Sequence, residues 1–479
     1  MTRATNEWQR DLSLRPPGAT LLSAQRRRLP PGLVGVSVGL LALAPMGSTT
    51  ALSVAAVAVL FLGSYLLWRP GEFPILLFIF VFQWLQVVTP VLYAGFLGID
   101  LDDFSTFHSD MHTAAMLSLV GLTLLAFGMR LGAGPVQSRD SELARLIACR
   151  FPTQGWFWLY VAAWTGAVFA QAFAFVVPGL SQPLIATSGL RWAFFLTLTY
   201  AAFSSGTGIR AYWLTAFALE LISSLGSYFS DFKTVFIFTI FGLAAAEVRV
   251  KRRGYLGLAL LTACMVVMAI IWSDIKMEYR KTGGGIDRLV ELTSQIDGSA
   301  MWRGLDLLIH RVGYIEFFAA VVNYVPEVVP YTKGAIWSDA IVRPFMPRLL
   351  FPEKTIIDDS RRTNMYTGLG VAGMEDATSI SIGYMAEAYI DFGPLWMMPV
   401  VAGFGYFLGR IYRYLLRSRG SRGLLGMGMA SAVLFQAAAF EQSITKVMGG
   451  IVVALLVSLV LIHFVIPNWA PWARPTSAT

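Results

Sequence analysis

The sequence predicts an all-α polytopic membrane protein with about twelve spanning helices and one large, partly helical loop on the outer side. Three observations carry that prediction. Hydrophobic residues make up 56% of the 479 and charged residues only 14%, against about 25% charged in soluble domains. Apolar runs of roughly 18 residues or more, enough to cross a hydrocarbon core of about 30 Å, recur along the chain. Basic residues gather in alternate loops, as they do where those loops stay in the cytoplasm.

The spans are expected at residues 33–46, 51–68, 73–97, 111–131, 155–177, 184–204, 210–229, 232–248, 254–272, 391–412, 423–440 and 447–466. Residues 1–32 read as a polar cytoplasmic tail containing Arg26, Arg27 and Arg28, without the shape of a cleaved signal peptide. Alternation from that basic start puts Arg130, Arg139, Arg145 and Arg150 inside, then Arg249, Lys251, Arg252 and Arg253, then Arg410, Arg413, Arg417, Arg419 and Arg422. The acidic segment 100–110, with Asp102 and Asp103, falls outside and holds no Lys or Arg. Both termini are therefore expected in the cytoplasm. Residues 33–272 form an N-terminal bundle of about nine helices, 391–466 the C-terminal helices, and 467–479 a second tail. The formal charge of +8 reflects this orientation, and no nucleic-acid partner is expected. The two cysteines, Cys149 and Cys264, fall in a loop and in a helix and make no disulfide framework.

Residues 273–390 depart from the pattern by length. Gly283 to Gly285 break the chain, residues 288–296 and 302–325 show helical apolar spacing, and Pro326, Pro330, Pro344, Pro347 and Pro352 punctuate the rest. A long ordered loop usually carries function, so candidate chemistry is sought there. Arg343, Arg348 and Lys354, with Arg361 and Arg362 close behind, set cations among prolines and aromatics. Guanidinium groups held this way bind phosphate oxygens through paired, charge-assisted hydrogen bonds; the plainer reading is contact with anionic headgroups. Glu387 and Asp391 stand four residues apart where the loop enters a span. A half-dry carboxylate there suits a general base, and a helix N-terminal acid complementing the macrodipole is the plainer alternative.

Weaker signals lie elsewhere. Arg191 and Glu220 are intramembrane charges on consecutive spans at similar depth, able to pair or to line a polar cavity. His108, Asp110 and His112, near Asp102 and Asp103, have spacing compatible with a metal, although the polar cap of a helix is the expected reading and no metal site is assigned. Glu441 and Lys446 flank a short outer turn. No internal repeat of the kind that builds many transporters is evident.

The stretches Arg311-Val-Gly-Tyr-Ile-Glu316, Val325-Pro326 with Tyr331-x-x-Gly334, Pro347-Arg348-x-x-x-Pro352-Glu-Lys354, and Gly383-x-x-x-Glu387-x-x-x-x-Phe392-Gly393 resemble the Wzy-type oligosaccharide repeat-unit polymerases, over residues 300–410. The resemblance implies a bacterial inner-membrane glycosyltransferase whose loop 273–390 is periplasmic. Its substrate would be an undecaprenyl-diphosphate-linked oligosaccharide, extended into a surface polysaccharide with undecaprenyl diphosphate as leaving group. No cofactor is implied. Membrane lipids, and a flippase and chain-length regulator of the same pathway, are the partners it suggests. Arg311, Arg348, Lys354, Arg343 and Arg191 are then expected to bind the diphosphate, with Arg348 also catalytic. Glu387 is the first choice of proton acceptor and His310 the second, while Tyr314, Trp337 and Tyr384, with Tyr366, offer ring faces to sugars. An O-antigen ligase of the same superfamily, a lipid-linked oligosaccharide transporter, and a metal-dependent glycosyltransferase using Asp102 and Asp103 are the competing readings.

Overall fold

Apolar sequence becomes helix in this chain because a backbone in hydrocarbon must satisfy its own N–H and C=O groups. The computed structural model describes residues 34–35, 37–40, 50–107, 109–136, 148, 153–174, 176, 181–204, 210–225, 232–246, 267, 270, 298–346, 350–351, 353–355, 357–371, 379–417 and 423–465. Among these every regular element is helical. The helices are α1 Thr50–Leu67, α2 Ile75–Leu97, α3 Leu101–Phe104, α4 Met111–Ala133, α5 Thr153–Ala174, α6 Ser181–Ser188, α7 Arg191–Ser204, α8 Arg210–Leu225 and α9 Phe232–Ala245. They continue with α10 Gly298–Val312, α11 Ile315–Tyr324, α12 Ala335–Val342, α13 Asp359–Thr367, α14 Tyr384–Arg417, α15 Leu424–Leu434 and α16 Ile444–Val460. Short 3-10 turns follow α12 (Arg343–Phe345) and α15 (Phe435–Ala438).

Among the described residues six helices are long and apolar enough to cross a membrane: Thr50–Leu67, Ile75–Leu97, Met111–Ala133, Gln154–Ala174, Tyr384–Arg417 and Ile444–Val465. Segments Ala211–Ser223, Lys233–Ala245 and Leu424–Ala438 are apolar but shorter. The expected span 184–204 is divided into α6 and α7 at Gly189 and Leu190. The expected helix 302–325 divides at Gly313, where an added Cβ would lie 2.4 Å from the ring of Pro90. The expected spans 33–46 and 254–272, the helix 288–296, Gly283 to Gly285, both tails, Cys149, Cys264 and His108 lie largely or wholly outside the described residues.

The longest contact joins α4 to α14, and glycine makes it possible. Gly128 and Gly132 on α4 face Gly405 and Gly409 on α14. A Cβ on Gly128 would sit 2.1 Å from the Ala402 carbonyl oxygen, and one on Gly405 would sit 2.3 Å from that of Leu125. Two Gly-x-x-x-Gly pairs thus bring backbones into contact, the usual way spanning helices associate where the solvent supplies no hydrophobic force. Contacts advance along both helices together, from Gly121 against Met385 to Gly134 against Arg413, so the two run parallel.

This fixes two polar ends. At one, buried Arg69 reaches Glu72 at 2.5 Å, and Glu72 accepts the Tyr412 hydroxyl at 2.6 Å. Arg69 and Arg130 both donate to the Gly134 carbonyl, at 2.9 and 2.5 Å. The opposite end carries α3, the start of α4 and the helices α10 to α13. There Asp110 caps α4 by accepting from Thr113 N–H at 2.8 Å, and its own N–H donates to Asn323 at 3.2 Å.

α14 is broken at Gly393, whose φ of 71° and ψ of 178° precede Pro394. The first turns, 384–392, belong to the polar end; the rest is the span. Positive φ costs little only for glycine, and the Tyr331 ring lies against the spot where a Cβ would stand.

Candidate functional site

Glu387, on the first turn of α14, is 0% exposed. Its Oε1 is 2.5 Å from Nη1 of Arg362 on α13, and its Oε2 accepts from the Ile444 backbone N–H at 2.6 Å. Ile444 opens α16, where Ser443 offers no side-chain cap, so the carboxylate satisfies an orphan donor at the positive end of that helix. Asp391, one turn on, does the same for α12. It accepts from Ile336 N–H at 3.1 Å and Trp337 N–H at 2.8 Å, and from the Thr332 hydroxyl. Helix-terminal acids are thus what both residues are, but each caps a helix other than its own.

A second ion pair stands beside the first. Lys446 Nζ lies 2.6 Å from Asp359 Oδ2 and donates to Ser379 at 2.9 Å. Asp359 is 1% exposed, and among the described residues neither of its oxygens has a hydrogen-bond donor beyond that ion-pair contact. Arg362 senses both acids. Burial disfavours its charge, but Glu387 first and Asp359 and Asp339 after it hold the guanidinium above its ordinary value. Two glutamines of α2 brace the turn before α16. Gln83 accepts from the Tyr384 hydroxyl and donates to the Ala437 carbonyl, each at 2.7 Å. Gln86 accepts from Phe440 N–H at 2.8 Å and donates to Glu441 at 2.5 Å. Gly383 allows α14 to start against this turn, since a Cβ there would be 2.6 Å from the Phe440 carbonyl oxygen.

The other expected site residues divide. Arg311 is exposed on α10, and Lys233 at the start of α9 feels both its charge and that of Glu441, which brings Arg311 to the rim of the cluster. Tyr314 donates to the Ser381 carbonyl; burial, then the Glu441 charge, pushes its phenol above the ordinary value. Arg343 is engaged with Asp339 at 2.9 Å and the Thr355 carbonyl at 2.8 Å. Lys354 donates to the carbonyls of Arg343 at 2.7 Å and Met346 at 2.8 Å. Arg348 lies outside the described residues. Trp337, Tyr366 and Tyr384 are buried in the core, Trp337 and Tyr384 both against Phe404, so these rings present no open face. Arg191 pairs with Glu220 at 3.3 Å, and Glu220 also accepts from Tyr160 at 3.0 Å. Their equal depth, read from sequence, corresponds to this contact.

His310 keeps different company. Its ring stacks on Phe104 at 4.4 Å and its Nε2 is 3.8 Å from Glu316 Oε1. Glu316 is buried and accepts from the Thr106 hydroxyl at 3.0 Å. Burial holds its carboxyl above the ordinary value; Thr106 and His310 pull it down, and Asp306 pushes it up. A carboxyl raised by folding contributes stability that is complete below its unfolded value and lost as pH rises through its folded one. Glu316→Gln is therefore expected to flatten the pH dependence of hydrogen-exchange protection across α10 and α11 from pH 4.5 upward. A slope unchanged from wild type contradicts this.

Asp100, Asp102 and His112 bring ligand atoms within 4.8 Å of one another. Both acids are already occupied as local acceptors. Asp100 accepts from Asp102 N–H at 3.0 Å, and Asp102 accepts from Met111 N–H at 2.8 Å. Asp100 also meets His112 at 3.3 Å. The arrangement is that of a polar helix cap at the bundle end.

Fold and site together define an all-helical membrane protein with two buried carboxylates, Glu387 and Asp359, paired to cations at one end of its bundle. The chain belongs to the family described as Domain of unknown function (DUF8712), whose model matches residues 167–468, well over half of the 479. No curated protein and no solved structure matches it.

Proposed function

We propose that the protein polymerises undecaprenyl-diphosphate-linked oligosaccharide repeat units at the outer face of a bacterial inner membrane. In this reading about twelve helices span the bilayer with both termini inside, and α10 to α13 form the periplasmic cap. The observation that supports it best is the Glu387–Arg362 contact, a fully buried carboxylate against a guanidinium 18% exposed, with Lys446–Asp359 alongside. The cations have carboxylates as resting partners. A lipid diphosphate entering from the rim past Arg311 would compete for Arg362 and Lys446, and in doing so free a carboxylate.

The chemistry then balances. The acceptor sugar hydroxyl attacks the anomeric carbon, and the new C–O bond forms as the bond to the diphosphate oxygen breaks. Undecaprenyl diphosphate leaves with the electron pair, steadied by Arg362 and Lys446. The hydroxyl proton passes to Glu387. A transporter instead needs a binding group near the midplane, and Arg191, its candidate, is engaged with Glu220.

The test is reconstitution of the purified protein with undecaprenyl-diphosphate repeat units, reading product length on a gel. A ladder is expected. Lys446→Ala should slow its growth by about a hundredfold, the usual effect of losing one charge-stabilising donor. Substrate that crosses the bilayer without being lengthened rejects the proposal in favour of transport.

A further inference from the structure

The end of α12 and the described residues just after it carry an apolar surface that no other part of the described chain covers. Ile341 is 51% exposed, Val342 54%, Phe345 67%, Leu350 71% and Phe351 42%. On α12 the exposed positions Ala335, Ser338, Val342 and Phe345 recur at helical spacing. The outward stripe thus begins small and polar and becomes apolar toward the 3-10 turn. The opposite stripe, Ile336, Trp337 and Ala340, is buried. α12 and the 3-10 turn pack on α16, which is itself long and apolar enough to span.

Two cations of this segment, Arg343 and Lys354, are engaged by groups of the segment itself and of α12. Lys354 donates its ammonium to the carbonyls of Arg343 and Met346, at 2.7 and 2.8 Å. Arg343 donates to Asp339 at 2.9 Å and to the Thr355 carbonyl at 2.8 Å. A segment exposed to water needs no such arrangement, because water satisfies carbonyls freely. A segment exposed to lipid does, since an unsatisfied carbonyl there is costly. Among the described residues five apolar side chains face out, while Arg343 and Lys354 are engaged within the segment and Glu353 is exposed.

We infer that this segment is a lipid wedge: its exposed apolar side chains seat at the headgroup–acyl boundary of the outer leaflet, beside α16, and its occupant is phospholipid. The continuity of its buried face with a spanning helix places it at bilayer height. α16 also receives Glu387 at its first residue and carries Lys446 two residues on. The wedge therefore borders the charged cluster on the side from which a lipid-borne molecule would arrive. This inference requires a membrane-inserted bundle and is independent of the polymerase reading.

Site-directed spin labelling tests it on the full chain. With Cys149→Ser and Cys264→Ser as background, single labels go in through Phe345→Cys, Leu350→Cys and, as a water-side reference, Arg361→Cys on α13. The protein is reconstituted in vesicles of phosphatidylethanolamine and phosphatidylglycerol. Collisions with dissolved oxygen, which partitions into acyl chains, are compared with those of a water-soluble nickel chelate. Oxygen should dominate at 345 and 350 and nickel at 361. Nickel dominance at 345 and 350 overturns the inference, and so does occlusion from both reagents, which would mean a protein partner covers the face. Should either variant fail to fold, Ile341→Cys or Phe351→Cys replaces it with the same criteria.

Discussion

Arg362→Ala should abolish polymer and also lower the amount of folded protein, because both effects start from Glu387. That carboxylate is wholly buried and its Oε1 has Arg362 at 2.5 Å. Removing one member of a buried pair leaves the other charge uncompensated, at a cost of about 3–5 kcal/mol. Replacing both members by apolar groups is often close to neutral. The double variant Arg362→Leu with Glu387→Leu should therefore recover part of the thermal stability lost in Arg362→Ala, read by a melt of the detergent-purified protein; the remainder is the cost of the Ile444 N–H left without its acceptor. It should still yield single repeat units in the reconstituted assay. Polymer from the double variant would leave the pair a purely structural role.

The second large effect is expected at the glycine contact. In Gly405→Leu the new side chain meets the Leu125 carbonyl oxygen, which already lies 2.3 Å from where a Cβ would stand. Backbone cannot yield as a flexible side chain does, so α4 and α14 must separate. Overpacking of this kind costs about 1–3 kcal/mol in an ordinary core, and here the contact displaced is the longest in the bundle. Gly403 lies two residues away with nothing within 4 Å of its added Cβ. Gly403→Leu should fold and melt like the parent, and Gly405→Leu should be lost to aggregation on extraction. Equal behaviour of the two would contradict the close packing.

The apolar helices were legible because hydrocarbon dictates their length and leaves few alternatives for the backbone. Glu387 was legible for the same reason, as a carboxylate where an apolar run begins. Its partner was not. Arg361 and Arg362 are adjacent, and which of them turns inward depends on the phase of α13, set by the Asp358 cap on Arg361 N–H. The caps made by Asp391 and Glu387 join residues 55 and 57 apart in sequence, beyond any local pattern. Lys446 was visible as a charge in a short turn, but its partner Asp359 lies across the fold. The glycine contact differs in kind: its signal, two Gly-x-x-x-Gly spacings on separate spans, was present in the sequence and went unread. Hydropathy counts what a helix exposes to lipid and ignores what it lets approach.

The Arg69–Glu72–Tyr412 knot has a mechanical meaning. It ties the exit of α1 and the entry of α2 to the far end of α14, and the Gly134 carbonyl draws α4 into the same node. With that end riveted and the shafts of α4 and α14 touching at the glycines, the bundle resembles a clothes-peg sprung shut at its tail. Room for a bulky guest has to be made at the jaws, above the break at Gly393, where short helices hang on single carboxylates.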